Sequence, residues 1–299
     1  MRARTLLLAA ALVSATVSLA AQQPLFRAAV SVVRVDVLAT DNGRPIPGLT
    51  ASDFSVLDNG VEQRLDSVVG DSEPIDVLFT FDRSASTRGD TLLRLRESAA
   101  ALLDALDPDD RAGLLTFNHM FTVPVPIGPV ERVRAALPGI EPEGSTAILD
   151  ASAVALALSA GSNRRTLILL FTDGVDTLSW LPEQTVVEAA RGSEAVLYAV
   201  ALPERRGFAQ ALAGEDAQLR RLAEATGGRL LRANDPSQLR ARFTEILREM
   251  RARYVLTYTP TAPDVPGWHA LSVRLTHHRG RVASRAGYVV PGEAPAGNR

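Results

Sequence analysis

Five oxygen-bearing side chains in three short segments could together bind a metal ion. They are Asp82, Ser84, Ser86, Thr146 and Asp173. The first three alternate within residues 81–87, and the other two lie in residues 144–146 and 172–174. Carboxylate and hydroxyl oxygens, without histidine or cysteine, favour Mg²⁺, and Mn²⁺ or Ca²⁺ would suit the same set.

The balance of charge in this set predicts what a metal site would do. Two carboxylates, Asp82 and Asp173, would roughly neutralise one divalent cation, and the three hydroxyls would add no charge. The ion would stay electrophilic and keep a water-filled position open. Because an outside carboxylate is well suited to fill that position, the residues predict binding to a protein partner with an exposed Asp or Glu.

The elements that must position these residues follow from hydrophobic periodicity. From Ile75 onward, short apolar runs alternate with helical patterns, which predicts a mainly parallel sheet covered by helices. The predicted strands are Val77–Phe81, Gly113–Phe117, an edge strand Phe121–Val125, Thr166–Phe171, Val196–Ala201 and Arg229–Leu231. The predicted helices are Leu92–Leu106, Val130–Leu137, Ile148–Ser159, Pro182–Ala190, Gln218–Ala225 and Pro236–Met250. We therefore expect an α/β fold with a doubly wound, Rossmann-like sheet, whose carboxyl edge carries the ligand.

With these residues in this order, the chain resembles the von Willebrand factor A (VWA) domain family, whose members carry a metal-ion-dependent adhesion site. The family motif, Asp-x-Ser-x-Ser followed by a separate Thr and a separate Asp, is matched by the five residues above. The resemblance covers about residues 74–250. It implies that Ser84, Ser86 and Thr146 contact the ion, while Asp82 and Asp173 hold it largely through water.

The segments on either side of the α/β region have the period of two that is typical of strands. Val33, Val35 and Val37 alternate with polar residues, and Asn42-Gly43 and Asn59-Gly60 predict tight hairpin turns. After the α/β region, Tyr254–Tyr258, Ala270–Leu275 and Val282–Val290 are predicted strands. The two segments could pair with each other, and they resemble flanking parts of bacterial exported VWA-related proteins.

The N-terminus is typical of a signal peptide. Arg2 and Arg4 precede an apolar run, Thr5 to Val17, that is short for a membrane span, and cleavage is expected after Ala20. We therefore predict an exported protein, periplasmic or secreted, with no membrane span in the mature chain. The expected organisation is a signal peptide (1–20), an N-terminal β-segment (21–73), a VWA domain (74–250), a C-terminal β-segment (251–292) and a disordered tail (293–299).

Other functions fit the composition less well. The chain of 299 residues has a formal net charge of −2 and no cysteine, which argues against nucleic acid as a partner and excludes disulfides and thiolate metal sites. No Gly-x-Ser-x-Gly elbow, Walker loop or dinucleotide fingerprint occurs, so we expect no enzyme. The alternatives are a scaffold with a purely structural metal and, less well supported, a hydrolase. Asp176 is expected to lie in a surface turn, the alternative being that its charge acts on the metal loop. The pairs Arg164-Arg165 and Arg205-Arg206 are expected to be solvated loop charges.

Overall fold

The computed structural model describes residues 32–70, 73–160, 162–173, 175–202, 209–261 and 265–290. The predicted signal peptide, the first residues of the N-terminal β-segment, the pair Arg205-Arg206 and the predicted tail lie outside the described residues. Among the described helices, none combines the length and the apolar character that crossing a bilayer requires.

Strands and helices follow one another in three blocks: strands, then alternating strands and helices, then strands again. In chain order the strands are β1 (Val33–Asp41), β2 (Arg44–Pro45), β3 (Phe54–Asp58), β4 (Val61–Gln63), β5 (Leu65–Val69), β6 (Ile75–Asp82), β7 (Arg111–Phe117), β8 (Phe121–Gly128), β9 (Arg165–Thr172), β10 (Val196–Ala201), β11 (Leu230–Arg232), β12 (Tyr254–Tyr258), β13 (Gly267–Leu275), β14 (Arg281–Ala283) and β15 (Gly287–Val290). The helices are α1 (Asp90–Asp104), α2 (Val130–Ala136), α3 (Ile148–Ser159), α4 (Glu183–Arg191), α5 (Ala209–Ala225) and α6 (Leu239–Arg251).

The central sheet has six strands in the order β11-β10-β9-β6-β7-β8. Its pairs are parallel except for β8, which lies antiparallel to β7 at one edge, as the sequence predicts for Phe121–Val125. All eight residues of β6 and all eight of β9 are buried, because both faces of these strands are covered.

Helices cover the two faces of this sheet and form two separate cores. Alternate residues of β6 divide between them: Val77, Phe79 and Phe81 pack with side chains of α1 and α6, whereas Leu78 packs with side chains of α3, α4 and α5. The predicted α/β, Rossmann-like fold is confirmed. Helix α5 begins at Ala209, earlier than predicted. The prediction began too late because the Ala- and Gly-rich residues before Gln218 lack an apolar period of 3.6.

The two flanking segments pair with each other and add two antiparallel sheets to the architecture. One has the order β14-β1-β12-β5, with β2 beside β1, and the other has the order β15-β13-β3-β4. Both sheets bury side chains in one shared core, which includes Val35 of β1, Phe54 of β3 and Leu256 of β12. Asn42-Gly43 and Asn59-Gly60 form the predicted turns, with positive φ at all four residues.

The predicted strand Val282–Val290 is wrong, because the structure divides it in two. Strand β14 pairs with β1 in one sheet, and β15 pairs with β13 in the other, so the chain changes sheets between Ala283 and Gly287. At Gly287 a Cβ atom would lie 2.2 Å from the carbonyl oxygen of His269, so only glycine fits the crossing point.

The predicted surface position of Arg165 is also wrong. This residue begins β9 and is only 3% exposed. Its Nη2 donates to Oδ1 of Asp36 at 2.7 Å and to the carbonyl oxygen of Met250 at 3.0 Å. Because Asp36 lies in β1, this buried ion pair joins the flanking sheets to the start of a central strand.

Candidate metal centre

Asp82 and Thr172 are the last residues of the neighbouring strands β6 and β9. The parallel register pairs Phe81 with Phe171, so the next residues along lie side by side at the carboxyl edge. Thr172 Oγ1 donates to Oδ2 of Asp82 at 2.7 Å. The last residues of the two strands therefore place an aspartate beside a threonine hydroxyl at the carboxyl edge of the sheet.

Asp82 is fully buried. Its Oδ1 accepts the backbone N–H of Ser84 at 2.8 Å, so each carboxyl oxygen has a donor. Burial raises the pKa of the Asp82 carboxyl above its ordinary value; the hydrogen bonds from Thr172 and Ser84 oppose that rise, and the charge of Asp176 adds to it. The carboxyl is held in place, but its negative charge is poorly compensated by the protein alone.

A series of hydrogen bonds continues from the β6 loop to the loop after β9. Ser84 Oγ lies 2.9 Å from Ser86 Oγ, and Ser86 Oγ donates to Oδ1 of Asp173 at 2.8 Å. Ser84 and Asp173 are buried, whereas Ser86 is exposed. The hydroxyl of Thr87 closes the turn by donating to the carbonyl oxygen of Ser84 at 2.9 Å.

Thr146 lies in the adjacent loop, which backbone bonds attach to the β6 loop. Ala85 N–H donates to the carbonyl oxygen of Gly144 at 3.0 Å. Thr146 itself is buried, and its carbonyl oxygen accepts the N–H groups of Thr177 at 3.0 Å and Leu178 at 3.1 Å. The structure thus links four of the predicted ligands by hydrogen bonds and holds the fifth, Thr146, in the next loop through its own backbone.

Gly144 is required where this loop turns. Its φ is +74°, in the region that favours glycine, and an added Cβ would lie 2.3 Å from Nδ1 of His119. Any larger residue would be strained at this φ and would also displace the exposed side chain of His119. Gly144 therefore sets the path that leads the chain to Thr146.

Two further residues, Thr172 and Asp176, lie beside the five predicted ligands; the sequence placed Thr172 in one of the oxygen-bearing loops and gave an effect of Asp176 on the metal loop as an alternative. Thr172 fixes Asp82, and its role depends on the register of two strands that are far apart in sequence. Asp176 accepts the N–H of Leu149 at 3.0 Å and that of Ser179 at 3.0 Å, so it caps the start of α3 from another loop. Asp176 is more than a surface-turn residue, because its charge acts on Asp82.

The chemistry of the donor set fits a hard cation. Hydroxyl and carboxylate oxygens converge here from three loops, and these are groups that Mg²⁺ accepts. Across the part of the chain that the structure describes, no three His, Asp or Glu side chains are grouped to hold a metal ion. Any site here must therefore depend on hydroxyls as well as on Asp82 and Asp173.

The α/β fold and the loops at its carboxyl edge define a class of domain, and the comparison with protein families identifies it. The model of the von Willebrand factor type A domain matches residues 76–245. The chain therefore belongs to the VWA domain family. Domains of this family are typically protein-interaction or adhesion modules.

Curated relatives match only part of the chain. Inter-alpha-trypsin inhibitor heavy chain H4 from Bos taurus is 32% identical over 119 residues, which cover 35% of this chain and 13% of that protein. The human protein of the same name is 33% identical over 119 residues, again 13% of its length. The match thus spans about an eighth of these relatives.

Solved structures show the same fold at low sequence identity. A von Willebrand factor type A protein from Catenulispora acidiphila has a TM-score of 0.52 and 15% identity, covering 85% of this chain and 75% of that one. A mutant of the PilB minor pilin from Streptococcus sanguinis has a TM-score of 0.50 and 12% identity, covering 62% of this chain and 63% of that one. At these identities the likeness concerns the fold.

Proposed function

We propose that this chain is a metal-dependent protein-binding module of an exported protein, with a Mg²⁺-type ion that coordinates an acidic residue of a partner. The observation that carries the proposal is the hydrogen-bonded series from Asp82 through Ser84 and Ser86 to Asp173. It lies at the carboxyl edge of a mainly parallel sheet, where such folds bind their ligands.

The five predicted ligands would hold the ion in two ways, directly and through water. By the resemblance to the family, the hydroxyls of Ser84, Ser86 and Thr146 would contact it directly, and the two carboxylates would hold it largely through water. The buried carboxyl of Asp82 supports this role, because a nearby cation would compensate a charge that burial leaves unfavourable.

Access from solvent supports a binding role. Ser86 is exposed, so the series of hydrogen bonds reaches the surface at its centre. When bound, the ion would supply a positive charge with an open coordination position. The hydroxyls would leave that charge only partly neutralised, and a carboxylate of a partner is the group best suited to it.

A scaffold with a purely structural divalent metal is the second candidate. The burial of Asp82, Ser84, Thr146 and Asp173 favours it, since an enclosed ion would mainly stabilise the loops. The two candidates differ in one observable: binding of the partner survives chelation only if the metal is structural.

Export is part of the proposal. The signal-peptide pattern of residues 1–20 supports it. Edman sequencing or mass mapping of the mature protein should begin at Ala21 or close to it. A soluble cytoplasmic form that keeps Met1 would contradict export without affecting the metal site.

Metal binding is tested by calorimetric titration of Mg²⁺ and Mn²⁺ into chelator-treated protein. Ser86→Ala should abolish or greatly weaken binding, because it removes a hydroxyl ligand. Ser55→Ala is the matched control: Ser55 also donates to a carboxylate, that of Glu62 at 3.0 Å, but it lies in β3 of a flanking sheet. Equal metal affinity in both variants would contradict the site.

Partner binding is tested with Thr146→Ala. By the resemblance, Thr146 contacts the ion when a ligand carboxylate arrives, so this substitution should weaken partner binding more than it weakens Mg²⁺ affinity. The partner is first recovered from an exported fraction with Mg²⁺ and then measured by calorimetry with Mg²⁺ and with chelator. Binding that is indifferent to chelator and to substitution of every acidic residue of the partner would favour the scaffold.

A further inference from the structure

Trp180 is a large apolar side chain in an unusual position, since 92% of it is exposed to solvent. It lies in the loop between β9 and α4, directly beyond the candidate metal centre. Tryptophan is depleted on ordinary surfaces and enriched among the residues that dominate protein–protein binding. Its exposure makes Trp180 a candidate contact residue for a protein partner.

The loop holds Trp180 outward through several hydrogen bonds. The carboxylate of Asp150 accepts the backbone N–H of Trp180 at 3.0 Å and that of Leu181 at 2.9 Å. Asp176 accepts the N–H of Ser179 at 3.0 Å. These bonds to carboxylates fix the main chain of the loop, so the Cα atom of Trp180 is held in place while its indole lies in solvent.

The same loop is attached to Thr146. The carbonyl oxygen of Thr146 accepts the N–H of Leu178 at 3.1 Å, and Trp180 follows two residues later. Two residues of extended chain span at most about 7 Å. Trp180 is thus within reach of any extended segment that places a carboxylate beside Thr146.

Exposed apolar residues also lie in a second turn that is hydrogen-bonded to the Thr146 loop. Met120 and Phe121 are 64% and 54% exposed, at the turn between β7 and β8. This turn is attached through Asn118, whose carbonyl oxygen accepts the N–H of Ala147 at 2.9 Å. We name Met120, Phe121, Leu178 and Trp180 the apolar rim.

We propose that the apolar rim, with Trp180 as its main contact, binds an apolar side chain a few residues away from the partner's acidic residue. This inference rests on the proposed function, because the acidic residue is the one captured at the metal centre. The partner segment would be an extended peptide that combines one Asp or Glu with a nearby aromatic or aliphatic residue. Such a pairing gives the site specificity that a carboxylate alone lacks.

Charge favours a protein segment over a lipid surface. Four carboxylates, those of Asp82, Asp150, Asp173 and Asp176, lie in or beside the loops at this edge of the sheet. The ion would roughly balance Asp82 and Asp173, but Asp150 and Asp176 would still disfavour an anionic lipid surface, whereas a peptide needs to bring only one carboxylate to the ion.

The test is an array of synthetic heptapeptides with a fixed central Asp and varied neighbours, each beside a twin with central Asn. The full chain is applied with Mg²⁺ and with chelator. The wild type should prefer Asp peptides over their Asn twins in Mg²⁺, and among them those with an apolar residue at one or two fixed offsets. Trp180→Ser should keep the Asp preference and lose at least tenfold in affinity for the apolar peptides.

The design separates the two proposals. If the Asp preference is absent, the metal–carboxylate function is wrong; if it is present but Trp180→Ser leaves the apolar preference unchanged, the role of the apolar rim is wrong. The hydrogen bond of Trp180 to Asp150 uses backbone N–H, so the substitution leaves it intact. Val61→Ser, which changes an exposed apolar residue of β4, is the matched control and should bind as the wild type does.

Fluorescence gives a direct reading of contact. The chain has two tryptophans, and Trp268→Phe leaves Trp180 as the single tryptophan, which is excited selectively at wavelengths that tyrosine does not absorb. Titration with the best apolar Asp peptide in Mg²⁺ should shift the emission to the blue, because the indole leaves water. An unchanged spectrum at saturating peptide would overturn the inference.

Discussion

Asp82→Asn tests the site most directly. The variant should be more stable than the wild type in chelator and less stable than the wild type in Mg²⁺. The substitution keeps the size of a fully buried side chain and removes its charge. Burial raises the pKa of Asp82, so the ionised form is disfavoured in the fold. A group with a raised pKa stabilises the fold below its ordinary value of 3.8 and loses that contribution as the pH rises through the folded value. At pH 7 with chelator, the Asn variant should therefore be the more stable protein.

With Mg²⁺ the order should reverse. A ligand that binds only the folded state at ~100 times its Kd adds about 2.7 kcal/mol to the free energy of unfolding. At 2–4 °C per kcal/mol for a chain of this size class, the wild type should gain about 5–10 °C in Tm. The Asn variant should gain little, because it lacks one of the two charges that attract the ion.

The assay is thermal unfolding of both proteins in chelator and in saturating Mg²⁺. Asp66→Asn is the control, since Asp66 also accepts a threonine hydroxyl, that of Thr259 at 2.9 Å, but it is exposed in a flanking sheet. It should show the full Mg²⁺ shift. Equal shifts in Asp82→Asn and the wild type would refute the metal site, and a less stable Asn variant in chelator would refute the reasoning about buried charge.

Three further predictions concern the surroundings of the site and the flanking sheets. Thr172→Val removes the hydroxyl that donates to Asp82. It should lower the Mg²⁺ affinity measured by calorimetry by about 10–100-fold, the range for residues that orient metal ligands. Thr166→Val, in the same strand, is the control and should leave the Mg²⁺ affinity unchanged. Asp36→Ala leaves Arg165 buried without its carboxylate and should lower the free energy of unfolding by about 3–5 kcal/mol in urea titrations; a change below 1 kcal/mol would contradict a buried pair. Deletion from Thr261 onward removes β13, the partner of β3, so limited proteolysis should cut residues 54–58 faster than in the full chain; an unchanged rate would show that β3 is held without it.

The central strands could be predicted from the sequence because strands buried on both faces consist almost entirely of apolar residues. Strands β6 and β9 are covered on both faces, so they appear as uninterrupted apolar runs. Parallel strands place their carboxyl ends at one edge, which is why Asp82 and Asp173 could be assigned to one site before any contact was known. The hydrogen bonds that join them through Ser84 and Ser86 agree with that placement.

The remainder depended on contacts between residues that are distant in sequence. The sequence placed Thr172 in an oxygen-bearing loop, but only the strand register shows that its hydroxyl holds Asp82, 90 positions away. Arg165 looks like a loop charge until β1 brings Asp36 to it from 129 positions away. The division of Val282–Val290 into two strands follows from the change of sheet, which no local pattern signals.

The two ends of a parallel strand are not equivalent, and this chain uses them differently. Strand β9 begins at Arg165, which is joined to the flanking sheets through Asp36, and ends at Thr172, which holds Asp82. At 3.3 Å per residue, these ends are roughly 23 Å apart. The flanking sheets are thus attached where β9 begins, whereas Ser86 and Trp180 are exposed at the carboxyl edge. A partner bound at the carboxyl edge, as we propose, would not need to displace the flanking sheets.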